Sequence, residues 1–377
     1  MANLFDYVAW RGDIFFDTIP FNKLDALLLS HISYSLLGGL VSENFEQAKS
    51  LSQLAKDFKA SPDYDERTKI GFLINKKTTE LLLKAAKAPR FKNIKICAYR
   101  DIFDEENVEQ FAAMTYIIKN GKDEEAVISY RGTDDTLIGW REDFNIVWQD
   151  PIPAQKDALA YIEEAAKALK ADIRIVGHSK GGNLAINTAV KCDAKIQKRI
   201  LQIYNFDGPG FSEDFFKKPE YLAIEDKLVN IYPEMSFVGM IFHHPEKYEI
   251  VKSDGFAVMQ HDPLTWQIMG PSFENKKDFV KESKAFYKAL NEWVEKLDPA
   301  QTKKFVTALW DILMASDVKT LSELSKSGLI AGAKMFAKMA TMDWETKKEV
   351  KVILDLLRDI VFKDTAIGRT LHFKKEL

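Results

Sequence analysis

Cysteine is nearly missing from this chain. Cys97 and Cys192 are the only two in 377 residues, so no disulfide framework can hold the fold, and no cysteine spacing suggests a metal site. An excess of one charge is missing too. The formal net charge is −3, and without a basic surplus a nucleic-acid partner is not expected. No uninterrupted apolar run reaches the ~20 residues that a membrane helix needs. The longest, around 27–41, is broken by Ser30, His31 and Ser33 and reads as a packed helix. The amino terminus has no cationic start followed by an apolar stretch, so a secretory signal is not expected and the chain is placed in the cytoplasm. What remains is 46 % apolar and 29 % charged, which suits a globular core with additions.

Hydrophobic periodicity divides the chain into three stretches. Apolar spacing over 24–37, 45–58 and 78–86 predicts helices, making residues 1–90 a helical segment packed on the core. Residues 91–270 alternate strand and helix. Strands are expected over 92–99, 110–118 and 126–130, with a hairpin turn at Asn120-Gly121-Lys122-Asp123. A helix over 157–169 leads to a strand over 173–176, and more strands follow over 200–206, 228–232 and 248–251. This alternation predicts an α/β fold with a mostly parallel central sheet flanked by helices. Residues 271–377 return to helical spacing as a C-terminal extension, through Trp293 and over 305–314, 321–339 and 347–362. The Met-, Phe- and Leu-rich parts of that extension could form a lid, but packing against the core is the simpler expectation.

The strand over 173–176 runs straight into Gly177-His178-Ser179-Lys180-Gly181, and Gly182-Asn183-Leu184-Ala185 then opens a helix pattern. A bare Gly-x-Ser-x-Gly occurs by chance in turns. Between a strand and a helix it reads as a nucleophile elbow, which strains the serine backbone and lifts its hydroxyl clear of the sheet. A serine hydroxyl needs a base, and the base needs an acid to orient it. In hydrolases with this elbow the order along the chain is serine, acid, histidine, which leaves His243, His244, His261 and His372 as bases. His261 ranks first because its loop, Gln260-His261-Asp262-Pro263, follows the last sheet strand. For the acid, Asp207 ranks first, in a Gly/Pro turn after the strand over 200–206. Glu234 is the alternative acid after the next strand, and Asp254 is third. The oxyanion donors would be the backbone N–H of Lys180 and, from Arg131-Gly132-Thr133, the N–H and hydroxyl of Thr133.

Tyr130-Arg-Gly-Thr133, Trp140 with Asp143, and the run from Gly177 to Ala185 resemble the class 3 lipase pattern of the α/β-hydrolase superfamily. That resemblance implies an oxyanion role for Thr133 and a nucleophilic role for Ser179. Asp6-Tyr-Val-Ala-Trp-Arg-Gly-Asp13, Pro20-Phe-Asn-Lys-Leu-Asp25, Asp207-Gly-Pro-Gly-Phe211 and Gln260-His261-Asp262 resemble a family of uncharacterised bacterial lipase-like proteins. It implies a hydrolase-fold protein inside the cell. Two positions depart from the lipase pattern. Lys180 stands where those lipases carry Leu, and its charge is expected to alter substrate preference. The strand over 228–232 is followed by Glu234 and Ser236 rather than an Asp. The resulting expectation is a serine hydrolase acting on a small-molecule or lipid ester, needing no cofactor and no metal. The competing reading is a catalytically silent hydrolase-fold binding protein, and the discriminator is whether a carboxylate reaches His261.

Overall fold

A computed structural model describes residues 2–70, 76–320, 323 and 333–361. The strands are β1 (Lys49–Ser50), β2 (Lys95–Asp104), β3 (Glu109–Asn120), β4 (Asp123–Tyr130), β5 (Asp172–His178), β6 (Ile200–Phe206), β7 (Leu228–Pro233) and β8 (Glu249–Val251), followed by β9 (Ile268–Met269), β10 (Ser272–Phe273) and β11 (Asn275–Lys276). Nine of them form one sheet in the order β1-β2-β3-β4-β5-β6-β7-β8-β11, and β9 pairs with β10 apart from it. The first four are antiparallel to one another, β4 to β8 are parallel, and β11 lies antiparallel on β8. Six of the nine, β2 and β4 to β8, therefore point one way, as expected of an α/β sheet. The turn joining β3 to β4 is the expected two-residue hairpin: Asn120 pairs with Asp123, and Gly121 takes φ +70°. Glycine reaches that left-handed region at no steric cost.

From β4 to β8 every connection moves to the next strand on the same side. Right-handed crossovers of that kind lay all connecting helices on one face of the sheet. That face carries α7 (Pro153–Ala168) and α8 (Lys180–Lys191), whose Ala158, Ile162, Leu184 and Ala185 share a core with Ile128, Tyr130, Ile173, Ile175 and Ile203. The alternate strand residues, Tyr116, Val127, Val176, Tyr204, Phe206 and Ile231, point the other way. They pack against the early helices α1 (Leu4–Arg11), α2 (Lys23–Ile32), α3 (Leu51–Ala60) and α5 (Thr78–Ala85), with α4 (Tyr64–Arg67) a single turn between the last two. Trp266 and Phe273 join this second core. The segment after His261 therefore packs on the early helices.

Two expected helices are shorter than their apolar spacing. Residues 45–50 form a turn and then β1, and Ser50 caps α3 by accepting the Gln53 N–H at 3.1 Å. Residues 24–37 stop being helical at Ile32. There the Ser30 and Ser33 hydroxyls donate to the carbonyls three residues back, at 3.0 and 2.6 Å, and compete with the helix ladder. In the C-terminal extension, helices Lys281–Glu295, Pro299–Met314 and Trp344–Val361 are present, whereas most of 321–339 lies outside the described residues. Phe305, Leu309, Ile312 and Val350 form a small core of their own, so most apolar side chains of 305–314 are packed, and Met314 at the helix end is exposed. Among the described residues no helix is long and apolar enough to cross a membrane.

A buried ion pair ties the early layer together. Arg90 Nη2 lies 2.6 Å from Asp25 Oδ2, Arg90 Nε 2.9 Å from Asp25 Oδ1, and the Tyr7 hydroxyl donates to the same Oδ1 at 2.8 Å. Arg90 bonds to the carbonyls of Ile14 and Ile19, each 2.9 Å, and of Pro20 at 3.3 Å. Removing one partner of such a pair strands the other charge in a dry interior. Asp25→Ala should therefore cost about 3–5 kcal/mol of stability in urea unfolding. A loss below about 1 kcal/mol would mean that water reaches Arg90.

Candidate active site

Ser179 stands between β5 and α8 at φ 59°, ψ −134°, a conformation that costs a side-chain-bearing residue about 1–3 kcal/mol. Its flanking glycines are steric necessities. A Cβ on Gly177 would sit 2.0 Å from the Gly181 carbonyl oxygen, and one on Gly181 would sit 2.1 Å from that of Tyr130. The turn is pinned by the Ser179 N–H donating to Phe206 O at 2.9 Å and by Gly182 N–H donating to Ser179 O at 2.8 Å. Ser179 is 9 % exposed.

Asp207 follows β6 directly, also in the left-handed region at φ 51°, and is fully buried. Both carboxylate oxygens are engaged. Oδ1 accepts the Ser236 hydroxyl and the Gly239 N–H (3.2 Å), while Oδ2 lies 2.6 Å from His261 Nδ1. A carboxylate oxygen accepts, so Nδ1 is the donor in this contact and Nε2 is the ring nitrogen left over. Glu234 points elsewhere, its Oε2 3.1 Å from Lys276 Nζ. Asp254 accepts from Gln267 Nε2 at 2.7 Å. His243 lies 3.3 Å from the Tyr287 hydroxyl, and His244 is ringed by Tyr232, Tyr248, Phe279 and Tyr287. His372 is outside the described residues.

His178, unremarked in the sequence beyond its place in the elbow, connects the two halves of the site. Its ring lies against that of His261, tilted by 34° at 4.5 Å between centroids. Nε2 lies 2.8 Å from the His261 carbonyl oxygen, so Nε2 must donate, and Nδ1 is left to accept from the Tyr34 hydroxyl at 2.9 Å. Burial first, then the neighbouring His261, holds His178 well below the ordinary 6.5. Tyr34 had no local signal, since it lies 144 residues from its partner.

The loop Arg131-Gly132-Thr133 passes hard against the elbow. A Cβ on Gly132 would sit 2.2 Å from the Tyr34 hydroxyl, 2.5 Å from His178 O and 2.9 Å from Ser179 Cβ. Thr133 donates its hydroxyl to Asp143 on α6 (Leu137–Asn145). Burial pushes the Asp143 carboxyl up to about 6, against the opposing pull of Lys180 and of the Thr133 bond. The Lys180 amide opens α8 and so has no intrahelical acceptor. Its side chain corrects the expectation of a charge beside the substrate: Nζ is fully buried 2.8 Å from Glu142 Oε2. The ammonium turns away from the surface because three acceptors await it inside. Helix Trp344–Val361 brings Cα atoms within 8 Å of the Ala257–His261 segment. Among the described residues no group of His, Cys, Asp and Glu could hold a metal ion.

The buried histidines set an acid limit on stability. His178 and His31 both have folded-state pKa values below 6.5, because burial penalises the cation. As pH falls through 6.5 the unfolded chain takes up protons first. Their contribution is thus full above 6.5 and is lost below it, by about 1.4 kcal/mol per pH unit for each histidine held neutral. Urea unfolding at about pH 5.5 and about pH 7.5 should expose this slope, and His178→Gln should reduce it. An equal slope in that variant would remove His178 from the account.

Residues 85–311, which is 227 of the 377, match the family model described as Mbeg1-like. No curated protein matches the chain. Among solved structures, a crystal structure of M37 lipase is 17 % identical, covering 58 % of this chain and 70 % of that one, at a TM-score of 0.32. By the extent of the family match, the chain belongs to the Mbeg1-like family.

Proposed function

We propose that this protein is a serine hydrolase cleaving carboxylic esters of small molecules or lipids, in the manner of class 3 lipases. The observation that carries the reading is the 2.6 Å contact between His261 Nδ1 and the buried Asp207, on a histidine whose ring lies 4.5 Å from that of His178 in the strained serine elbow. Ser179 Oγ attacks the carbonyl carbon as His261 Nε2 takes its proton, and Asp207 stabilises the imidazolium that forms. The N–H groups of Thr133 and Lys180 hold the oxyanion. His261 then protonates the leaving alcohol, and a water deprotonated by the same nitrogen releases the acid and restores Ser179. In this reading residues 91–270 carry the chemistry, and the helical 1–90 and 271–377 support it from inside the cell. These steps draw on three side chains, two backbone amides and a water, and call for no cofactor. A silent binding protein would have no need of a carboxylate on His261, and Asp207 weighs against it.

A fluorophosphonate probe tests the reading directly. Labelling of the intact protein, lost in Ser179→Ala and in His261→Ala, is the expected result. Asp207→Asn should lower kcat on p-nitrophenyl esters by about 10⁴-fold, since the wrong tautomer is then favoured. An intact protein that takes no label would instead support the binding reading.

A further inference from the structure

Lys180 and Glu142 are both fully buried and form a closed polar cluster behind the elbow. Lys180 Nζ donates to Gln110 O at 2.6 Å, to Gln110 Oε1 at 3.0 Å and to Glu142 Oε2 at 2.8 Å, which uses all three of its protons. Glu142 Oε2 also accepts the Gln110 N–H at 3.1 Å, and Oε1 accepts the Ala154 N–H at 2.8 Å. Four elements thus meet on one ion pair: β3, α6, the start of α7 and the start of α8. The next residue on α6, Asp143, holds the Thr133 hydroxyl. Consecutive carboxylates on one helix therefore grip the side chains of the two residues whose amides would face an oxyanion.

We propose that Lys180 and Glu142 are positioning residues, a buried ionic clamp that fixes the spacing between the Thr133 and Lys180 amides by anchoring both to α6. The inference rests on the serine-hydrolase reading above. Stability does not explain the pair, because a buried ion pair is often matched or bettered by apolar side chains of similar volume. A network of short charge-assisted bonds supplies fixed geometry instead, and an oxyanion hole works only when its donors are held in place before charge develops. The clamp also acts through charge. Asp143 Oδ1 accepts no hydrogen bond and lies 3.9 Å from Lys180 Nζ. Lys180 therefore favours the ionised Asp143 that accepts the Thr133 hydroxyl, while Glu142 and Asp134 oppose it.

The test compares the intact protein with Lys180→Met/Glu142→Gln, which removes both charges, keeps an acceptor for the Ala154 N–H and sets an amide donor beside the Gln110 carbonyl that Lys180 vacates. The double variant should unfold in urea near the wild-type midpoint. Its kcat on a p-nitrophenyl ester should fall about 10- to 100-fold with KM within about twofold, the signature of displaced transition-state donors. The Asp143 carboxyl, followed by ¹³C NMR, should titrate at higher pH than in the wild type, because its cation is gone. The acid limb of kcat/KM should move up with it. Wild-type kcat with an unmoved Asp143 titration would overturn the clamp. If the double variant does not fold, Lys180→Gln/Glu142→Gln, which strands neither charge and keeps polar partners, decides, with a fall in kcat expected and an unchanged kcat overturning the clamp. Failure of the intact protein to take the fluorophosphonate label would defeat the hydrolase reading, whereas the Asp143 titration reads the clamp independently of turnover.

Discussion

Five parallel strands that each step to the same side impose one demand on everything else. Their crossover helices can cover only one face of the sheet, yet parallel strands carry large apolar residues on both. Val176, Tyr204, Phe206 and Ile231 need a second layer, and the helices before β2 supply it. The early segment is thus half of the sandwich. Its own buried charge, Asp25, is compensated within the layer by Arg90 and Tyr7.

The same division reaches the candidate site. Ser179 and Lys180 come from the crossover side through α8, and the Trp266 segment that follows His261 packs with the early layer. Tyr34, just past α2, hydrogen-bonds His178, whose other ring nitrogen holds the His261 carbonyl. The Trp266 indole N–H donates to Gln260 O at 2.7 Å, fixing the residue before His261 from below. Both layers therefore determine where the imidazole sits.

Much of this was legible in sequence where the information is local. Glycines two positions either side of Ser179 declare the elbow because the chain cannot make that turn with a Cβ at either place. The strand over 200–206 matches β6 residue for residue, since a buried run over 203–206 ends in a tight turn. What escaped was non-local. The ranking of Asp207 over Glu234 followed from turn chemistry, but Ser236 and Gly239, which aim its carboxylate, sit on the next connection. Lys180 read as a charge near substrate because nothing adjacent announces Glu142, which lies 38 residues earlier on another helix. The serines in 24–37 looked like interruptions of a helix that continues. In fact their hydroxyls end it.

The placement of the early helices has a consequence for how the chain reaches its native state. As it emerges from the ribosome, the segment carrying α1 to α5 precedes the strands it must cover, and the Ile268 N–H finally bonds to the Ala2 carbonyl at 2.8 Å. Contacts that close so long a loop form late and slowly. Until β4 to β8 assemble, the apolar faces of α2 and α5 have no partner, and such surface invites association with other chains. The Trp266 segment that steadies His261 docks on that same layer, so this imidazole takes its position only after the two ends of the fold have met.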